Sequence, residues 1–102
     1  MLRNTLEYQF FGAFAATGAD GGVDVGKYRR FVVYFAASVV TSGATIKVES
    51  LSPNGDWTPV NSNAISANGN TMVAFEGAHS KLRCNITART DGTYTATLRA
   101  CD

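Results

Sequence analysis

Turn-forming residues divide this sequence into short segments, and that division limits the fold more than any other feature. Glycine, often beside Asn, Asp or Ser, recurs between stretches rich in Val, Ile, Thr, Phe and Tyr. Such stretches favour β-strands, and the apolar spacing of an amphipathic helix is nearly absent. The pattern predicts strands at residues 5–16, 22–25, 28–37, 44–50, 57–60, 71–76, 81–88 and 93–100.

The regular punctuation predicts one all-β domain over residues 1–102. We expect an antiparallel β-sandwich, jelly-roll-like, of about seven to eight strands. The order of segments lacks the strand–helix alternation of a nucleotide-binding sheet, and no linker marks a second domain.

The charge balance argues against a nucleic-acid partner, and the lack of long apolar runs argues against a membrane partner. Nine Lys or Arg residues face eight Asp or Glu residues, so no basic excess exists to neutralise phosphates, and we expect no nucleic-acid partner. No apolar run approaches the ~20 residues of a membrane helix, so we expect no membrane partner. Arg3 precedes apolar residues as in a secretion signal, but Glu7 and Gln9 interrupt them, and we expect a strand there.

The two cysteines are predicted to stay unpaired. Residues 80–100 read as a hairpin closed at residues 90–92, in which Cys84 and Cys101 lie ~10 Å apart along the ladder. That separation exceeds the ~7 Å limit between the Cα atoms of a disulfide. Two free thiols fit assembly in a reducing cytoplasm.

Two predicted strands are apolar on both faces. In residues 28–37 one face carries Phe31, Val33 and Phe35, and the other carries Val32 and Tyr34. The first strand is predicted to place Tyr8, Phe10 and Phe14 on one face and Phe11, Ala13 and Ala15 on the other.

A strand that is apolar on both faces must be covered on both faces. In a sandwich of this size the second cover is expected to be another subunit or a larger partner, and the alternative is that residues 18–27 fold over it. The predicted interface residues are Phe11, Tyr28, Arg29, Arg30, Val32 and Tyr34.

No catalytic constellation stands out, and we expect neither an enzyme nor a cofactor. His79 is the single histidine and is predicted to lie in a solvated turn, while Cys84 is predicted to point inward, away from thiolate chemistry. One His and two Cys do not support zinc. Residues 20–24 (DGGVD) offer oxygens to Ca²⁺ but lack a full ligand ladder, so a flexible surface turn is the favoured interpretation.

Trp57 has two competing interpretations. It follows the turn PNGD at residues 53–56 and begins a return strand, where an indole can lean back and fasten the hairpin. Pro59 suits an edge strand because it lacks a backbone donor. The alternative is a carbohydrate-binding module in which Trp57 is the ligand platform, joined by Tyr28, Tyr34 and Tyr94.

Three segments of residues 28–100 together resemble a small β-sandwich found in tailed-phage particles. They are ESLSPNGDWTPV at residues 49–60, KLRCNI at 81–86 and the Thr-rich GTYTATL at 92–98. Members of that family serve as head decoration or cement proteins and as parts of tail appendages, and the resemblance brings no catalytic residues to carry over.

The resemblance implies a virion structural protein that is assembled in the host cytoplasm. We expect a homo-oligomer, with a trimer favoured, that binds the major capsid protein or another virion protein and cements the capsid exterior. A tail-fibre or tail-tip component and a sugar-binding module remain the alternatives.

Overall fold

The computed structural model describes residues 4–102, which form two antiparallel sheets packed face to face. No helix in this range is long and apolar enough to cross a membrane. The strands are β1 (Thr5–Phe14), β2 (Gly18–Ala19), β3 (Val23–Asp24), β4 (Arg30–Ser38), β5 (Ala44–Leu51), β6 (Trp57–Ile65), β7 (Gly69–Glu76), β8 (Lys81–Arg89) and β9 (Thr93–Cys101).

The strand order is that of a jelly roll. Sheet A has the order β1-β9-β4-β7 and sheet B the order β2-β8-β5-β6, with β3 also paired to β8. Strands β2 and β3 pair with successive parts of β8 and act together as one broken strand. The architecture therefore has the eight strand positions of two four-stranded layers, and the predicted all-β, jelly-roll-like sandwich is confirmed.

Most strand ends lie within two residues of their predicted positions, and the larger differences are in β6 and β2. Strand β6 runs on to Ile65, because a bulge at Val60 restores pairing with β5 after Pro59. The two-residue strand β2 was not predicted. Strand β6 is an edge strand, as Pro59 indicated.

The predicted hairpin of residues 80–100 is wrong. Strand β8 belongs to sheet B and β9 to sheet A, so the turn at residues 90–92 crosses between the sheets. The Asp91 carboxylate accepts hydrogen bonds from the backbone N–H groups of Thr41, Ser42 and Gly43 at 2.9–3.1 Å, which ties this crossover to the β4–β5 turn. Both cysteines are free thiols, although they lie on different sheets and not on one hairpin.

The core lies between the sheets, and strand alternation fills it. In β4 the predicted inward residues Phe31, Val33 and Phe35 are at most 2% exposed. Strands β5, β8 and β9 contribute the remaining central side chains in the same alternating way: Ile46, Val48, Leu82, Cys84, Ile86, Tyr94, Ala96 and Leu98.

Strand β1 departs from its predicted phase. A register shift lies between Gln9 and Phe11, so that Phe11 pairs with the inward-facing Ala96 and Phe10 is the extra residue. Both phenylalanines consequently pack on the core, Phe10 fully and Phe11 partly buried. The outward orientation predicted for Phe11 is wrong, because a bulge turns two successive side chains to the same face.

Candidate interaction surface

The outer face of sheet A is built from rows of side chains that cross all four strands. One row contains Gln9, Thr97, Tyr34 and Met72, and the next contains Glu7, Arg99, Val32 and Ala74. A third row, at the end of the sheet, contains Thr5, Cys101, Arg30 and Glu76. We call these three rows the A face.

Apolar exposure on the A face is concentrated at one cross-strand pair. Tyr34 and Met72 are direct partners on β4 and β7, and 38% and 67% of their surfaces are exposed. Arg99 lies beside this pair, with Cζ 5.6 Å from the centre of the Tyr34 ring, and its Nη2 is 2.8 Å from Glu7. The face thus joins exposed aromatic and thioether groups to a charge pair.

A shallow depression of about 530 Å³ occupies the charged end of the A face. Its lining is mainly apolar. The lining includes the charged residues Arg30, Arg99 and Glu76 and the apolar residues Val32 and Ala74. A partner side chain with an apolar body could enter this depression beside an arginine.

The structure exposes some of the predicted interface residues and places others in the core. Val32 and Tyr34 face outward on β4 as predicted, and the Arg29 and Arg30 side chains are exposed. Tyr28 does not flank this surface: it is 8% exposed and belongs to the core. Phe11 points inward at its bulge, as described above.

The alternative that residues 18–27 fold over the outer face of β4 is wrong. Within residues 18–27, β2 and β3 pair with β8 in sheet B, on the opposite sheet from the A face. The A face is therefore uncovered by that segment.

The sequence prediction missed Met72 and Ala74. Both lie on the outer side of β7, where they alternate with the inward-facing Val73 and Phe75. The signal was present, because residues 72–75 (MVAF) are apolar on both sides of a predicted strand, the same pattern that marked β4.

Trp57 lies on the outer face of sheet B and is held by its neighbours. The guanidinium carbon of Arg83 is 4.4 Å from the ring centre. A Cβ atom placed on Gly22 would lie 3.0 Å from Cη2 of the indole, so the ring reaches across to the β2–β3 turn. This packing favours the interpretation of Trp57 as a fastener of the β5–β6 hairpin.

The β5–β6 turn is ordered by its own hydrogen bonds. The N–H of Ser52 donates to the Asp56 carbonyl at 2.7 Å, and Gly55, with φ of 92°, donates to the Ser52 carbonyl at 2.9 Å. The two strands therefore enter and leave the turn in fixed register, with Trp57 opposite Leu51.

The segment considered for calcium is an anchored turn. The Asp20 carboxylate accepts hydrogen bonds from the N–H groups of Cys84 and Gly22, each at 2.9 Å. One oxygen thus binds a backbone donor of β8 and the other binds a donor within the turn itself. No group of three His, Cys, Asp or Glu side chains in residues 4–102 is placed to hold a metal ion.

His79 was predicted to lie in a solvated turn, but the structure partly buries it. Its Nδ1 lies 2.9 Å from the Ser50 hydroxyl, and Nε2 is buried with no hydrogen-bond partner within residues 4–102. The rings of Phe31 and Phe75 approach it edge-on at 5.6 and 5.7 Å, and burial lowers the pKa of the imidazole.

The Cys84 thiol is inward-facing, as predicted. Burial raises the pKa of Cys84, and the Asp20 and Glu49 carboxylates raise it further. A thiol in this state is a poor nucleophile.

No known family model matches this chain, and no curated protein matches it in sequence. Solved structures share its fold. The SPBc2 prophage-derived protein YomS superposes with a TM-score of 0.72 at 17% identity, over 100% of this chain and 96% of that one. A subunit of the disulfide-linked pili of Bacillus endospore appendages gives 0.54 at 15% identity, over 97% and 86%.

The fold also occurs in a sugar-binding protein. The N-terminal cellulose-binding domain of Cellulomonas fimi β-1,4-glucanase C gives a TM-score of 0.51 at 12% identity, over 94% of this chain and 87% of that one. At these identities the similarity establishes the fold and leaves the role to the chain's own surfaces.

Proposed function

We propose that this chain is a non-enzymatic structural subunit of a tailed-phage particle and binds other particle proteins through the A face. The main support for this proposal is that Tyr34 and Met72 lie side by side and exposed on that face. Aromatic and methionine side chains are enriched at protein interfaces, and burying them against a partner removes apolar surface from water. The similarity in fold to a prophage-derived protein over the full chain supports this role.

Within that role, head decoration is the favoured assignment. A decoration protein makes weak contacts with a repeated shell, and their number makes attachment strong. The A face suits such contacts because it combines a small apolar centre with the Arg99–Glu7 pair and the Arg30 side chain at its rim. The partner would be the major capsid protein, and a tail-fibre or tail-tip position is the alternative within the same class.

Sugar binding is the second candidate, supported by the fold it shares with a cellulose-binding domain. The site it needs is Trp57, but Arg83 lies over that indole. Titration of the single tryptophan's fluorescence with oligosaccharides tests it. No saturable change is expected. A saturable change would favour sugar binding if calorimetry also showed that Trp57→Ala no longer binds the oligosaccharide.

The proposed role is tested by particle association. Particles are purified on a gradient from cells that encode the chain, and the chain is sought in them by mass spectrometry. Recombinant wild-type chain and variants are then sedimented with particles stripped of it. Tyr34→Asp should abolish co-sedimentation because it places a carboxylate in the apolar centre of the face.

A matched pair of alanine variants controls for surface charge. Ala36 on β4 and Ala64 on β6 are both exposed. Ala36 lies on the outer side of sheet A, in the row that borders the A face next to Tyr34, and Ala64 lies on the outer side of sheet B. Ala36→Asp should weaken co-sedimentation and Ala64→Asp should leave it unchanged. Equal binding of the two variants and of Tyr34→Asp would contradict the assignment of the A face.

A further inference from the structure

Strand β7 leaves a long, regular edge of sheet A open. It pairs with β4 through eight consecutive residue pairs, from Arg30–Glu76 to Ala37–Gly69, without a register shift. On its other side no strand of residues 4–102 pairs with it. Alternate backbone N–H and C=O groups on that side are therefore oriented to receive a further strand.

The other borders of the sheets are interrupted. Strand β1 contains two register shifts, and β6 contains Pro59 and a bulge. These are devices by which sheets avoid edge-to-edge pairing. Strand β7 (GNTMVAFE) contains neither proline nor lysine, and its one charge, Glu76, is at its end.

We infer that β7 pairs antiparallel with β7 of a second copy of this chain, about a two-fold axis beside Val73. The inference deepens the proposed structural role by naming a second copy of the chain as one partner, and it rests on that role. A second copy is the fitting occupant because the side chains of β7 are complementary to themselves in one register.

That register follows from the faces and the charges. Paired residues of a continuous sheet must point to the same side, so Val73 opposite Val73 of the second copy places Met72 opposite Ala74. Met72 is 67% exposed, and Ala74 is a small residue that lines the depression. In the same register Asn70 lies opposite Glu76, where an amide can donate to the carboxylate and no like charges meet.

Pairing centred on Met72 is less favourable. It places the two exposed methionines opposite each other and leaves Glu76 beyond the paired residues. In the register centred on Val73, each Met72 lies over the depression of the other copy, and the apolar surface of both is covered.

The pair would join the two A sheets into one eight-stranded sheet with a doubled A face. The trimer expected from the sequence needs a heterologous contact, in which β7 of one copy meets a different edge of the next. The interrupted edges of β1 and β6 are poorly suited to that, whereas a two-fold β7 pair closes as a dimer.

Cysteine cross-linking tests the register. Variants Met72→Cys and Ala74→Cys are made separately in a Cys101→Ser background, mixed, and oxidised with copper phenanthroline. Directly opposed residues have Cα atoms about 4.5–5.5 Å apart, within disulfide reach. The mixture should give a covalent dimer, while Met72→Cys alone, with residues offset by ~8 Å, should not. Cross-linking of Met72→Cys alone that is as extensive as in the mixture would overturn the register.

Charge variants test the pairing itself. Met72→Lys with Ala74→Lys in one chain opposes like charges twice across the pair, and Met72→Lys with Ala74→Glu opposes unlike charges twice. The first double variant should sediment as a monomer and the second as a dimer, both with wild-type circular dichroism. A dimer in the first variant, or a monomer in the second, would overturn edge pairing.

These outcomes separate the inference from the proposed function. A monomeric wild-type chain that still binds particles through Tyr34 overturns β7 pairing and leaves the virion role standing. A cross-linked dimer in the predicted register that is absent from particles supports β7 pairing and overturns the virion role.

Discussion

The Arg83 guanidinium lies over the Trp57 indole while its Nε donates a 2.7 Å hydrogen bond to the Glu49 carboxylate. The two contacts connect β6, β8 and β5 across the outer face of sheet B. Glu49 is only 7% exposed, and a carboxylate this buried needs partners. Arg83 supplies the opposite charge, and Asn85 donates a further hydrogen bond at 3.4 Å. Trp57 is thus part of a structural cluster that fixes the β5–β6 hairpin.

Removing the buried carboxylate should cost far more than removing an exposed one. Glu49→Ala leaves Arg83, whose side chain is 23% exposed, without its partner, and we expect a loss of about 2–4 kcal/mol in the free energy of unfolding. Glu7→Ala removes a pair whose side chains are over 60% exposed and screened by water, so the free energy of unfolding should barely change. Urea unfolding measures both, and equal losses would contradict the structural role of the Glu49 cluster.

Val39 should be a site of backbone strain. Its φ is 57°, a left-handed conformation that a β-branched residue rarely adopts, and 76% of its surface is exposed. Val39→Asn should therefore raise the free energy of unfolding by about 1 kcal/mol, since Asn tolerates this conformation and no packing is lost. Val40→Asn is the control: Val40 packs on the core, and its substitution should destabilise the fold. A destabilising Val39→Asn would refute the strain.

His79 should make the fold sensitive to acid. Burial holds its folded-state pKa below the ordinary 6.5, so the unfolded chain binds the proton first as pH falls. The contribution of the neutral imidazole to the free energy of unfolding is complete above about pH 6.5 and is lost as pH falls through the folded-state pKa. His79→Phe, which cannot titrate, should lose less stability than wild type between pH 7.5 and pH 5. Identical losses in urea unfolding would contradict the burial of the imidazole.

Gly43 should tolerate no side chain. Its φ is 104°, and a Cβ atom there would overlap the Ile65 carbonyl oxygen. Gly43→Ala should cost about 3 kcal/mol by combining the left-handed backbone with this overlap. Gly55→Ala, with φ of 92° and open space around it, isolates the backbone effect and should cost about 1 kcal/mol. Thermal unfolding would refute the overlap if the two variants were equally stable.

Local alternation was sufficient to predict much of this fold. Phe31 faces inward and Tyr34 outward on β4, as the two-residue alternation of a strand predicts. The prediction holds because β4 pairs with both neighbours without a bulge. The turn of residues 53–56 likewise followed from its own residues, because the positive φ of Gly55 and the edge position of Pro59 are local requirements.

Partner choice and bulges could not be predicted. The turn at Asp91 and Gly92 has the composition of a hairpin, but the Asp91 carboxylate binds N–H groups some fifty residues away and crosses between sheets. A single extra residue at Phe10 then reversed the face of Phe11. Such shifts depend on the strand alongside, and the short sequence of the strand itself does not contain them.

The most direct measurement is the absolute mass of the purified wild-type chain by light scattering over a hundredfold concentration range. Open β7 edges predict a mass that rises from one chain of 10.8 kDa toward two as concentration increases. Met72→Lys with Ala74→Lys should hold it at one chain throughout. A wild-type mass of one chain at every concentration would contradict self-association through sheet A.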